Sequence, residues 1–335
     1  MSTKSRTLKI MGFFKRGLIG VTIFVLIMGI IGTVYQTAAT EADKRNFPPP
    51  GNLIDVDGFK MHINCEGTGS PTVILEAMSG GTSAYWGWIQ PEVQKETRVC
   101  VYDRAGFGWS ESDPESPTLA RTVRNLHTLL GNANIEGPYV LVGHSLGGVY
   151  VRKFAADYPD EVAGVMLLDE ANPGQFVKYP ELFSEGDNFI NILKGIKFLN
   201  HIGAGHLFFA LGGKMDFSEL PEPQRSQMEA IWSTPQYFEA QGDELVAGHE
   251  IWADALDLKR LDDLPLMVVS RGLNLDYEWN KYQADLANLS TNSMHITVEG
   301  ANHGALVFNP KYAHVVSDAI LQLVDAVRTG KRLGE

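Results

Sequence analysis

The stretch "YVLVGHSLGGVYVRKF", residues 139–154, sets an apolar run against a Gly-x-Ser-x-Gly pentapeptide centred on Ser145 and then resumes at once in a helical pattern. A buried strand that turns sharply into a helix accounts for the whole stretch. In that geometry the serine takes backbone angles that are costly for a residue with a Cβ, and Gly143 and Gly147 leave room where side chains would clash. The hydroxyl then projects above the carboxyl ends of the strands, where open α/β sheets bind ligands. The competing reading is a glycine-rich turn with an incidental serine.

The flanking sequence supplies the rest of a sheet. "LIDVDGFKMHINCEG" (53–67) reads as a hairpin turning at Asp57-Gly58. Apolar runs rich in Val, Ile and Leu follow at 71–78, 97–103, 137–145, 162–170, 264–272 and 294–300, with helical patterns between them. Strands buried on both faces look like this, so the expected fold class is α/β, a mostly parallel eight-stranded sheet with helices on both faces. Residues 172–262 break the alternation with no good strand and are too long for a loop in a compact domain. They read as a helical cap inserted between strands 6 and 7, leaving 53–171 and 263–335 as the core.

Of 335 residues, 28 are Lys or Arg and 40 Asp or Glu. Residues 1–35 carry Lys4, Arg6, Lys9, Lys15 and Arg16 without an acid, so the other 300 hold 23 basic against 40 acidic side chains. A domain that negative repels phosphate backbones, which argues against a nucleic-acid partner. The basic segment 1–17 leads into "LIGVTIFVLIMGIIGTVY" (18–35), uncharged and close to the length a bilayer requires. The expected topology is a single transmembrane helix with its cations in the cytoplasm and the rest of the chain, after a linker at 36–52, outside it. Cleavage of a signal at the small residues 37–40, giving a secreted or periplasmic protein, is the alternative.

A serine hydroxyl needs a base, and the base an orienting acid. His303, in "EGANHGAL" beyond the last strand, sits at a carboxyl end of the sheet, whereas the other eight histidines fall in strands, helices or the cap, or, like His144, beside the serine but turned away. Two acids end neighbouring strands: Asp276, which is favoured because one helix and one strand separate it from His303, and Asp169, one strand earlier. The backbone N–H of Leu146, at the start of the helix, and that of Met78, in the loop after "TVILEAM", are the expected oxyanion donors. "MSGGTSAYW" lacks the Gly-Lys-Ser/Thr of a phosphate loop, "DRAGFGWS" lacks the third glycine of a dinucleotide fingerprint, and no metal-ligating cluster stands out, so no cofactor or metal is expected.

With "GHSLGG", the "YDRAGFGWS" turn, the "GANH" histidine and the order Ser145, acid, His303, the chain resembles the α/β-hydrolase superfamily over roughly residues 53–325. The resemblance implies a serine-type active site but leaves the substrate open, because the fold hosts many chemistries. It departs at the oxyanion loop, where many members have His-Gly and this chain has Glu76-Ala77. It also implies the strand order 1-2-4-3-5-6-7-8, which brings Cys65 and Cys100 onto neighbouring strands, either as a disulfide or as two buried thiols. The expected activity is hydrolysis of small, mainly apolar carboxylic esters by a membrane-anchored enzyme. The alternatives are a proline-releasing aminopeptidase, with an acid such as Glu239 or Glu244 gripping the amine, and a ligand receptor or scaffold of low turnover.

Overall fold

The structure, a computed structural model, describes residues 3–258 and 260–334; the side chains of 3–10, 12 and 183–187, and with them Lys4, Arg6 and Lys9 of the cation cluster, lie outside the described residues. The chain opens with α1 (Thr3–Asn46). This helix contains a window apolar and long enough to cross a membrane, with a mean hydropathy of 2.5 and none of it buried. It does not stop at residue 35 but runs on through most of the segment expected to be linker. Ala38, Ala39, Glu41, Ala42 and Lys44 are good helix formers, and the first break is Phe47, which Pro48 bars from helical angles.

Eight strands follow, β1 (Asn52–Val56), β2 (Phe59–Glu66), β3 (Thr72–Glu76), β4 (Val99–Tyr102), β5 (Tyr139–His144), β6 (Val162–Leu168), β7 (Leu266–Arg271) and β8 (Ser293–Val298). Their order in the sheet is β1-β2-β4-β3-β5-β6-β7-β8, antiparallel from β1 to β4 and parallel thereafter. The β1–β2 hairpin turns at Asp57 and Gly58 with φ of 55° and 102°, the pair of positive values that a two-residue hairpin turn of the primed type requires. Cys65 and Cys100 stand directly opposite each other across β2 and β4 and form a disulfide.

Outside the sheet lie α2 (Gln90–Val93), α3 (Leu119–Asn132) and α4 (Leu146–Asp157). Between β6 and β7 come α5 (Pro173–Lys178), α6 (Glu181–Asn200), α7 (Ala204–Ala210), α8 (Gln224–Trp232) and α9 (Pro235–Leu256), here called the cap. α10 (Trp279–Ala287), α11 (Ala305–Phe308) and α12 (Pro310–Thr329) complete the chain. Successive strand side chains alternate between two cores, as the two-residue period demands. Val140, Val142, Met166 and Met267 pack with α12, whereas Leu141, Val165, Leu167 and Val268 pack with α3 and α4. Burial on both faces explains why these strands read as continuous apolar runs.

The short connection from α1 to β1 is tied to the core. Trp109 Nε1 donates to the Phe47 carbonyl at 3.0 Å. The buried His62 ring meets Asp103 through Nδ1 at 2.8 Å and the Pro50 carbonyl through Nε2. Both ring nitrogens thus face acceptors. Burial opposes a charge there, but the Asp103 carboxylate and the Pro50 carbonyl outweigh it and raise the His62 pKa above its ordinary value.

Candidate active site

Ser145 joins β5 to α4 with φ 56° and ψ −121°, a strained conformation for a residue bearing a Cβ. The two glycines of the pentapeptide are there for space. A Cβ on Gly143 would lie 2.3 Å from the Gly147 carbonyl oxygen, and one on Gly147 would lie 2.7 Å from the Glu76 and Ala77 carbonyl oxygens. The Ser145 N–H donates to Leu168 O at 2.9 Å, which pins the turn to the end of β6. Leu146 is the first residue of α4, so its N–H is one of the helix's unpaired donors.

His303 lies between β8 and α11, and its Nδ1 is 2.6 Å from Asp169 Oδ2. The carboxylate that meets His303 is therefore Asp169 and not Asp276. Asp169 follows β6 at φ 48°, is fully buried, and also accepts from Arg271 N at 3.0 Å, Arg271 Nη1 at 2.9 Å and Trp279 Nε1 at 2.8 Å. Burial pushes its pKa up, but the His303 hydrogen bond and the Arg271 charge prevail and hold it at about 2. Asp276 is exposed. Beyond β7 the chain turns outward, Gly272 and Leu273 donate to Ala301 O, and the Arg271 guanidinium stacks on Trp279 at 3.7 Å, filling the approach to His303.

His144 turns out to be a neighbour of His303. Its ring is buried 4.5 Å from that of His303, and burial, with the nearby His303, drives its pKa well below the ordinary imidazole value, so it is neutral. Sequence reasoning set His144 aside as turned away from the serine and passed over Arg271; the available signal was that each ends a strand. Among the described residues the Ser145 hydroxyl makes no hydrogen bond to His303, a contact that in free enzymes often closes only on binding.

The loop after β3 is held from beneath by a buried ion cluster. Arg104 Nη1 meets Glu76 Oε1 at 2.5 Å and the Ala77 carbonyl at 2.8 Å, and its Nη2 meets the Met78 carbonyl at 2.8 Å. Its Nε reaches Glu244 Oε1 of α9 at 2.9 Å, while Glu244 Oε2 accepts from Ser79 Oγ at 2.7 Å and Gly80 N at 3.0 Å. With the Ala77 carbonyl bound to Arg104, the peptide that carries the Met78 N–H is fixed in orientation. Burial is the largest influence on Glu76 and raises its pKa to about 7 against the opposing pull of Arg104. Glu244, 3% exposed, is thus spent on loop and core, and Glu239 pairs with Lys197 at 2.9 Å on the surface, so neither is placed as an amine-gripping acid.

A cavity of about 520 Å³ lies between the core and the cap, lined by Met78, Phe189, Leu193, Phe217, Trp232 and Phe308 among others. Among the described residues no group of three or more His, Cys, Asp or Glu side chains is arranged to hold a metal.

Residues 71–190 match the α/β-hydrolase fold family. An uncharacterized protein of Schizosaccharomyces pombe is 25% identical over 297 residues, 76% of this chain and 52% of that one. The chain spans about half the length of the curated relatives it matches. Among solved structures, a thermophilic esterase from Thermogutta terrifontis with malate bound superposes with a TM-score of 0.60 at 19% identity, over 82% of this chain and 98% of that one. The epoxide hydrolase CorEH without ligand gives 0.62 at 18% identity, over 83% and 99%. Sheet order, strand-to-helix turn and these similarities agree: the chain has the α/β-hydrolase fold, and its residues 71–190 match that family.

Proposed function

We propose that the protein is a membrane-anchored serine hydrolase of carboxylic esters. The observation that carries this reading is the 2.6 Å contact between His303 and the buried Asp169 beside a serine held at φ 56°. Ser145 Oγ attacks the ester carbonyl while His303 Nε2 takes its proton, and Asp169 fixes the imidazole tautomer through Nδ1. The negative oxygen of the tetrahedral intermediate is received by the N–H groups of Met78 and Leu146. His303 then returns the proton to the departing alcohol, and water, activated by the same imidazole, releases the acid from Ser145.

The largely apolar cavity beside Met78 favours an aliphatic or aromatic acyl group over a peptide. The apolar window of α1 supports an anchor, the preceding cations a cytoplasmic amino terminus, and the disulfide an extracytoplasmic catalytic part. The test is labelling of the full chain in detergent with a fluorophosphonate probe, beside hydrolysis of p-nitrophenyl esters of rising chain length. Wild type should label and turn over, and Ser145→Ala should do neither. A wild type that neither labels nor hydrolyses would sink the proposal.

A further inference from the structure

The carboxyl-terminal part of α1 is docked on the cap, and the contact fixes which face of the cap meets the plane of the membrane. Gly29, Gly32, Gln36, Thr40 and Asp43 recur at helical spacing, and each is less exposed than the fully exposed turns before them. Gly32 lies against Ile202 so closely that a Cβ would meet its carbonyl oxygen at 2.6 Å, and a Cβ on Gly203 would meet the Tyr35 ring at 2.5 Å. One turn further along, Gln36 Nε2 donates to Ser233 O at 3.0 Å, and His206 bridges Gln36 Oε1 at 2.9 Å and Asp43 Oδ2 at 2.7 Å.

These contacts set a depth scale. Gly32 lies within the uncharged run, and Glu41 is the first charge after it. Nine residues of helix separate them, about 14 Å at 1.5 Å per residue. Cap residues level with Gln36 and Asp43 therefore lie at the headgroups, whereas Ile202, level with Gly32, lies below them.

The cap surface around Ile202 suits that depth. Eight of the fifteen exposed large apolar side chains outside α1, among the described residues, fall between 189 and 211. They include Phe198 at 67% exposure, Leu199, Leu207 and Leu211 at 78%. Scattered apolar side chains need no partner, but a cluster this dense beside a membrane span does. Lys194 and Lys214, both exposed, stand at its edges where their stems can reach headgroups.

We infer that the cap face formed by the end of α6 and by α7 is a second membrane contact, immersed in the headgroup and upper acyl region of the bilayer beside α1. The inference rests on α1 being the membrane span proposed above. It places the outer side of α6 in lipid while the inner side of the same helix, at Leu193 and Ile196, lines the cavity. A single helix thus separates the bilayer from the cavity.

Cys65 and Cys100 are bonded to each other, so a cysteine introduced into the full chain can be labelled selectively. Phe198→Cys and Leu211→Cys would each carry an environment-sensitive NBD dye in phosphatidylcholine vesicles. Asp160→Cys, exposed at the amino end of β6 and so at the opposite end of the strands from Asp169, is the control. Dyes at 198 and 211 should emit blue-shifted and be quenched at least about two-fold by lipids carrying a doxyl group near the top of the acyl chain, as expected ~5–10 Å below the boundary. The dye at 160 should not.

If 198 and 211 behave like 160 while the chain resists alkaline carbonate extraction, the anchor stands and the inference fails. If carbonate releases the chain, the anchor reading falls and the inference with it. Blue-shifted emission without lipid quenching, together with crosslinked dimers, would overturn it in favour of a second copy covering the patch. Should either variant misfold, Leu207→Cys, at 54% exposure, takes its place.

Discussion

At the scale of single residues, the proposed site turns on which carboxylate faces His303. Asp169→Asn should leave the fold intact but deprive His303 of its orienting acceptor, lowering kcat by about 10³–10⁴-fold, as expected when the orienting acid of a triad becomes an amide. Asp276→Asn, at an exposed loop position, should leave kcat within a factor of about two, since surface substitutions far from such contacts change little. Steady-state hydrolysis of a soluble ester separates the two, and loss confined to the second variant would overturn the assignment. Because hydrogen bonding and Arg271 hold Asp169 at about 2, its ionisation should not set the acid limb of the pH–rate profile between pH 4 and 9. The positions of these residues, though not their roles, were legible beforehand. Ser145, its two glycines, Leu146 and His303 could be read because a motif met a strand end. Asp169 directly follows β6 and Asp276 lies in the loop beyond β7, and in the sequence both read as strand-end acids that no local signal separates. The choice is made by the outward turn after Arg271 and by Trp279 filling the gap, which are facts of packing between β6, β7 and α10.

At the scale of elements, the loop after β3 owes its shape to a strand, a turn and a cap helix acting together. Arg104→Met would remove the donor to the Ala77 and Met78 carbonyls and strand two buried carboxylates, so activity should fall roughly 10²-fold with KM little changed, as for a misplaced transition-state group. Stability should drop by about 3–5 kcal/mol, the usual consequence of breaking a buried ion pair. Glu244→Gln keeps an acceptor for Ser79 or Gly80 while losing the charge opposite Arg104, and should show a smaller loss in the same direction. Chemical denaturation run beside the kinetics distinguishes loop displacement from unfolding. Unchanged kcat in both variants would show that the loop holds its form without the cluster. The sequence marked Glu244 only as an acid in the cap, because its partners are 140 residues or more away along the chain.

At the scale of the whole molecule, the strands, the inserted cap and the hairpin followed from hydrophobic periodicity and turn chemistry and the strand order from the family resemblance, whereas the extent of α1 and its docking followed from neither. The polar end of α1 reads as a spacer by composition, yet its surface is used by Ser233 and His206. Stability should also respond to pH through the joint between α1 and the core. The His62 pKa is raised on folding, so this group stabilises the fold fully below its unfolded pKa near 6.5, and the contribution fades as pH rises through the higher folded value. Thermal melts of wild type and His62→Gln should differ most at pH 6 and converge by pH 9. A gap that widens with pH would refute the charge state assigned to His62.

The position of α1 has a mechanical consequence as well. It is fastened to the cap at Ser233 and His206, and the chain directly after it is fastened to the core at Trp109 and His62. The helix is thus a splint laid across the seam between the two halves, and prising them apart means breaking one fastening or the other. A chain begun at Asn52 would lose the splint. On the proposed function, its cap should swing more widely, admit bulkier esters and discriminate less between chain lengths, so that shortening the chain changes the choice of substrate and not only its location.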